Sequence, residues 1–146
     1  MGYQLELINV SKLFGDVRAV DNVSLSIEHG EFLTLLGPSG SGKTTSLNMI
    51  AGFEIPDRGE ILLENDDITT VAPNDRGIGM VFQNYALFPH MTVADNIAFP
   101  LKMRRTPGPK IHQALKEALE LVKLPQFEGR YPHQLSGGQQ QRIALA

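Results

Sequence analysis

The sequence predicts an α/β fold on three observations. The glycine-rich segment Gly37-Pro38-Ser39-Gly40-Ser41-Gly42-Lys43-Thr44-Thr45 stands between a short apolar run, residues 31–36, and a stretch with helical spacing, residues 44–51. Several short runs of strand character precede it, and an amphipathic helical pattern with Ile111, Leu115, Ala118, Leu119 and Val122 on one face follows it. Strand, glycine loop and helix in that order indicate a parallel sheet flanked by helices.

Taken along the chain, residues 3–10 alternate, with Leu5 and Leu7 on one face and Glu6 and Ile8 on the other. Residues 11–16 read as a turn with Phe14 at its tip, and residues 17–20 and 23–27 as two more short strands. Glu28-His29-Gly30 turns into the apolar strand 31–36. Three or four short strands ahead of the first helix predict an antiparallel sheet beside the parallel one. Gly52 is the expected left-handed residue closing the first helix. Pro56-Asp57-Arg58-Gly59 reads as a turn, residues 60–63 as a strand and Asn65-Asp66-Asp67 as a second turn. Asp66 and Asp67 are adjacent acids in a turn without a third ligand, which favours solvated carboxylates over a metal site. Residues 78–82 form the next expected core strand, ending at Gln83.

From residue 84 the character turns helical. Thr92 and Asp95 resemble a capping box opening a short helix through Phe99, which Pro100 interrupts. Residues 106–109 are a linker, and Pro125 ends the amphipathic helix. Ser136 is a natural N-cap for a last helix, with Gly137 and Gly138 exposing N–H groups at its start. The expected division is a core with its antiparallel part over 1–83, a helical subdomain over 84–135, and the start of the last helix over 136–146.

Composition narrows the partners. A net charge of −3 gives no reason to expect nucleic acid, and the absence of cysteine excludes disulfides and thiolate metal sites. No signal peptide is visible at the N-terminus, and no apolar run approaches the roughly 20 residues needed to span a bilayer. The expectation is a soluble, cytoplasmic protein that serves a membrane, if at all, through a partner.

The glycine-rich segment matches G-x-x-x-x-G-K-[ST] at every fixed position. Gly40 and Gly42 let backbone N–H groups turn inward, and the helix that follows adds unpaired N–H groups and the positive end of its dipole. Lys43 supplies a point charge for β- and γ-phosphates, and Thr44 a hydroxyl for Mg²⁺. This chemistry calls for a nucleoside triphosphate. Leu135-Ser136-Gly137-Gly138-Gln139 makes a second anion site of the same physical kind.

The phosphate loop at 37–45, a glutamine ending a strand at 83, and Leu-Ser-Gly-Gly-Gln at 135–139 with a helical region between them resemble the nucleotide-binding subunit of an ABC transporter. The resemblance covers essentially the whole chain and implies a P-loop NTPase core with an antiparallel β subdomain and an inserted helical subdomain. It implies ATP and Mg²⁺ as cofactors. Phe14 would stack on adenine; Ser39, Gly40, Ser41, Gly42, Lys43, Thr44 and Thr45 would surround the phosphates. Thr44 and Gln83 would serve the metal, with Lys43 and Gln83 acting in catalysis. Ser136, Gly137, Gly138 and Gln139 would contact the γ-phosphate held by a second nucleotide-binding subunit in a head-to-tail dimer. Residues 85–91, including Tyr85, Leu87 and Phe88, would meet transmembrane permease subunits, with at least one of these three in the helical core instead. The likeness is strongest to importer subunits, above all those for spermidine and putrescine, which are peripheral on the inner face of the plasma membrane.

The family pattern continues past the signature helix with an apolar strand ending in aspartate, a catalytic glutamate, a further aspartate and a histidine, none of which lies in residues 1–146. The chain therefore reads as an N-terminal fragment with the C-terminal part of the core missing. Leu33, Leu35 and Val81 are expected to be uncovered, and hydrolysis by these residues alone is expected to be negligible. A non-catalytic ATP-binding module is the alternative reading. A GTPase or small kinase is set aside, because no Asn-Lys-x-Asp sequence occurs and the 135–139 pentapeptide has no role there.

Overall fold

The computed structural model describes residues 3–82 and 86–146 and separates into two compact units, Met1–Met80 and Val81–Ala146.

The first unit is built on an antiparallel sheet in the order β2-β1-β3-β4. β1 (Leu5–Phe14) and β2 (Val17–Ile27) form a long hairpin from Leu5↔Ile27 to Phe14↔Val17, closed by Gly15 and Asp16. Two expectations are corrected here. The turn occupies two residues rather than 11–16, and 17–20 and 23–27 are one strand. Irregularities interrupt the register, and Asn9 and Asn22 take positive φ of 50°. Serine hydroxyls keep the hairpin whole: Asn9 N donates to Ser24 Oγ and Asn22 N to Ser11 Oγ, each at 2.9 Å. The N–H groups freed by the bulges are thus satisfied.

β3 (Arg58–Leu63) pairs with β1 on its other side, and β4 (Asp66–Asp67) returns along β3. Glu64 and Asn65, both at positive φ, make the two-residue turn, one position earlier than expected. Arg58 and Gly59 belong to the strand. A Cβ on Gly59 would strike the backbone of Ile8 and Asn9, so this close approach of β3 to β1 admits only glycine. One face of the sheet carries Leu7, Val10, Val20 and Ile61 into a core with Ile68 and with Met49 of α1 (Lys43–Ala51). Gly52 closes α1 at φ 87°, as its position predicts.

The expected parallel strands do not form. Residues 31–36 and 78–82 carry no strand assignment, and Phe32 and Leu36 are 92% and 95% exposed. A parallel strand is held by neighbours in its own sheet, and among the described residues none lies beside these segments. Leu33, Leu35 and Val81 are exposed, as expected of them.

The second unit packs α2 (Val93–Met103), α3 (Gly108–Leu121) and α4 (Gly137–Leu145) around Val93, Ile97, Leu115, Leu119, Leu124, Phe127, Leu135 and Ile143. Leu115 and Leu119 are buried and Ala118 and Val122 pack against them, so the predicted face of α3 is the observed one. Thr92 caps α2 by accepting from Asp95 N at 3.1 Å. Pro100 does not interrupt α2. It removes one donor, and the next turn re-forms with Arg104 N donating to Pro100 O at 3.1 Å. Residues 108 and 109 belong to α3 rather than a linker, because proline in a first turn lacks only an N–H that has no helical partner there. α3 ends at Leu121, ahead of Pro125, and Lys123 just past its cap takes φ 60°.

Candidate functional site

The loop before α1 carries no regular structure over residues 31–38, then tightens, with Ser41 N donating to Pro38 O at 3.3 Å. Gly40 and Gly42 sit at φ 82° and 84°, which is the conformation that aims successive N–H groups to one side. Gly42 occupies the cap position of α1 and provides no side-chain cap. The N–H groups of Lys43, Thr44 and Thr45 have no partner within the helix, so α1 opens on three donors and a positive dipole end.

A second constraint acts on Gly42. A Cβ there would strike the Ala19 carbonyl oxygen and come within 3.2 Å of Val20 Cγ2. The glycine loop therefore lies directly against β2. Val17, two residues before Ala19, is the register partner of Phe14, so Phe14 stands roughly 7 Å further along the hairpin. Phe14 is 47% exposed and presents its ring at the hairpin end.

Lys43 is folded across its own loop. Its ammonium donates to Gly37 O at 2.9 Å, Pro38 O at 2.7 Å and Ser41 Oγ at 3.0 Å. All three acceptors lie within the loop, so the cation can exchange them for phosphate oxygens without refolding. Thr44 is exposed on the first turn. Mg²⁺ with a triphosphate needs only one or two protein oxygens, and the Thr44 hydroxyl at this helix start fits that demand.

The far end of α1 is held by a residue that sequence reasoning missed. Arg76 is 4% exposed and donates to Met49 O at 2.7 Å, Ile50 O at 2.8 Å, Val71 O at 2.8 Å and Thr69 O at 3.2 Å. Burial pushes its pKa down, yet four carbonyls, two from the last turn of α1, satisfy the cation at the negative dipole end. A Cβ on Gly52 would strike this guanidinium. Arg76 lies far along the chain from α1, and no local pattern announces it.

Asp67 accepts from Thr69 N at 2.9 Å and from the Thr69 hydroxyl. The hydroxyl first and the N–H second hold its carboxyl below the usual range. That carboxylate is committed to its own turn. Among the described residues, no group of three His, Asp or Glu stands together as a metal site.

The second glycine-led helix start belongs to the other unit. Ser136 Oγ accepts from Gln139 N at 3.4 Å, and Gln139 Oε1 accepts from Ser136 N at 2.9 Å. This reciprocal cap forms at the N-cap position predicted for Ser136. Gln140 Nε2 donates to Pro132 O and Leu135 O, and Arg142 to Val122 O, fixing α4 against the preceding turn and the end of α3. These anchors, too, have no sequence signature. Gln83 and Tyr85 lie outside the described residues. Leu87 packs against the helical core, whereas Phe88 is 39% exposed with its ring centroid 4.8 Å from that of Phe99.

An uncapped glycine loop opening a helix against a β-hairpin, followed by a helical unit with its own glycine-led helix, defines a phosphate-loop cassette. The family described as ABC transporter matches residues 20–146, and the chain belongs to that family. It is 62% identical over 142 residues to the spermidine/putrescine import ATP-binding protein PotA of Nitrosomonas eutropha, and 61% identical to that of Chromobacterium violaceum. Each match covers 97% of this chain and 39% of the relative, so the chain spans about two fifths of the length of these curated relatives. Among solved structures, a dimeric ATP-binding cassette in a post-hydrolysis state bound to ADP and Pi superposes with TM-score 0.85 at 37% identity, covering 97% of this chain and 67% of that one. A dimeric bacterial ABC transporter cassette superposes with TM-score 0.82, also at 37% identity, covering 96% and 66%. The fold is that of the N-terminal part of an ABC ATPase cassette.

Proposed function

We propose that the chain binds ATP at the start of α1 and belongs to a subunit that hydrolyses ATP to power uptake of a small solute, a polyamine, across a membrane. The uncapped loop start of α1, with Lys43 poised on exchangeable acceptors, is the observation that carries this reading. In it, Ser39 to Thr45 wrap the phosphates, Phe14 stacks on adenine, and the Lys43 ammonium stabilises the charge that develops on the terminal phosphate. Thr44 and Gln83 would hold Mg²⁺, which supplies charge neutralisation on the phosphate oxygens. Gln83 would also orient the attacking water.

Ser136, Gly137, Gly138 and Gln139 then meet the γ-phosphate bound to a second subunit in a head-to-tail dimer; the dimeric state of both solved neighbours supports this. Permease subunits would dock on residues 85–91, where Phe88 is exposed. No described helix is long and apolar enough to cross a membrane, and the protein would sit peripherally on the inner face. We further propose that residues 1–146 alone bind ATP but turn it over negligibly, because the family's water-activating glutamate follows the signature helix.

The test compares Mg²⁺-dependent ATP hydrolysis by this chain with that of a chain of the relatives' full length. Turnover by the longer form only, abolished by Lys43→Ala, is expected. Steady turnover by residues 1–146 that depends on Lys43 would overturn the division of labour.

A further inference from the structure

Lys12 lies on β1 two residues before Phe14, and three independent contacts fix its ammonium. It donates to Ile55 O at 2.7 Å and pairs with Glu54 at 3.5 Å and Asp57 at 3.8 Å. It also stands over the Phe14 ring, 5.5 Å from the centroid. The side chain is only 14% exposed, so the cation is largely withdrawn from water, where a cation–π contact is strongest. The same loop grips β1 at two backbone positions: Leu13 N donates to Asp57 Oδ2 at 2.7 Å, and Asp57 N donates to Ser11 O at 2.9 Å. Residues 54–57 follow directly from the end of α1, where Phe53 N donates to Asn48 O at 2.9 Å. The helix that opens on the glycine loop is therefore tied, from its other end, to the strand that presents Phe14.

We propose that Lys12 is a positioning residue for the nucleotide base: held by the loop after α1, it fixes the Phe14 ring from one side and leaves the other side for the purine. Two effects follow from that geometry. A ring held in place loses less rotamer freedom when a base stacks on it. A cation behind the ring also draws on its π-density, which favours stacking with an electron-rich purine on the opposite face. Surface lysines rarely matter in this way, but this one is desolvated, and each of its polar partners lies on the same short loop. The contacts it makes are with Glu54, Ile55, Asp57 and Phe14, all outside the glycine loop. Its influence reaches the ligand only through the base.

This inference rests on the assignment of Phe14 to the base, and the test separates the two. Equilibrium binding of ATP and of inorganic tripolyphosphate, with Mg²⁺, is measured for the wild-type chain, Phe14→Ala, Lys12→Met, Lys12→Arg and the double variant Lys12→Met/Phe14→Ala. The ratio of the two affinities isolates the contribution of the base. The expected result is a wild-type preference for ATP that Phe14→Ala removes and that Lys12→Met lowers about threefold. Lys12→Arg, which keeps a cation over the ring, restores it, and Lys12→Met adds nothing in the Phe14→Ala background. A merely structural lysine would weaken both ligands together and leave the ratio unmoved, which overturns the inference while the phosphate site stands. A wild type that prefers neither ligand removes the base assignment and the inference with it; one that binds neither removes the ATP-binding reading itself. Should Lys12→Met not fold, Lys12→Gln, which keeps a donor for Ile55 O without the charge, is read in the same way.

Discussion

The two glycine-led helices of this chain begin differently. α1 starts at Gly42 in the left-handed region with no side chain capping it, and its first N–H groups have no partner within the helix. α4 starts at Ser136 in extended conformation and caps itself in both directions through Ser136 and Gln139. An uncapped helix start is stabilised by the anion it binds; a self-capped one is stable without it. The contrast suits the proposed function, in which the chain's nucleotide would sit on α1 and the second glycine motif would meet a phosphate carried by another subunit.

The sharpest way to break this comparison is to remove the cation. Lys43→Ala is expected to weaken ATP binding by at least about tenfold, since a charge-assisted phosphate contact is worth about 1.5–3 kcal/mol; titration calorimetry reads it directly. Arg76→Met comes next. It leaves the Met49 and Ile50 carbonyls without a buried donor and is expected to destabilise the first unit by about 2–4 kcal/mol. Chemical denaturation measures that loss, while Arg76→Lys would recover only part of it for want of a fork reaching four carbonyls.

Ser136→Ala removes one half of the cap on α4 and is expected to cost about 1 kcal/mol of helix stability, seen as faster amide exchange over Gly137–Leu145. The same loss at α1 has no counterpart, because Gly42 contributes no cap to lose. The smallest expected effect concerns acid. A hydrogen bond from Lys102 first, and one from the Thr92 hydroxyl second, hold the Asp95 carboxyl below its usual range. A lowered folded value means that its stabilisation is present above the unfolded value of about 3.9 and is lost as pH falls through the folded one. Wild type should therefore lose more stability than Asp95→Asn between about pH 5 and about pH 3. Parallel acid titration curves for the two would remove Asp95 from the account.

Local chemistry was legible in the residues. Gly42, Gly52, Thr92 and Ser136 each take the conformation or the cap that their type and spacing imply. The amphipathic face of α3 is where its periodicity places it. Long-range chemistry was not legible. Ser11 and Ser24 keep a bulged hairpin continuous from the neighbouring strand, so a break expected from local pattern never occurs. Arg76 and Lys12 act on carbonyls far away in sequence, and nothing around either residue marks a partner. Residues 31–36 have the composition of a buried strand, but composition cannot supply the neighbouring strand that would hold them.

The most direct test follows backbone amide shifts while Mg²⁺ and ATP are titrated into the chain at a concentration that keeps it monomeric. The account predicts large shifts for Gly40, Gly42, Lys43, Thr44 and Thr45 at the start of α1, and none for Gly137, Gly138 and Gln139 at the start of α4. Equal movement at both helix starts, or movement at α4 alone, would contradict it.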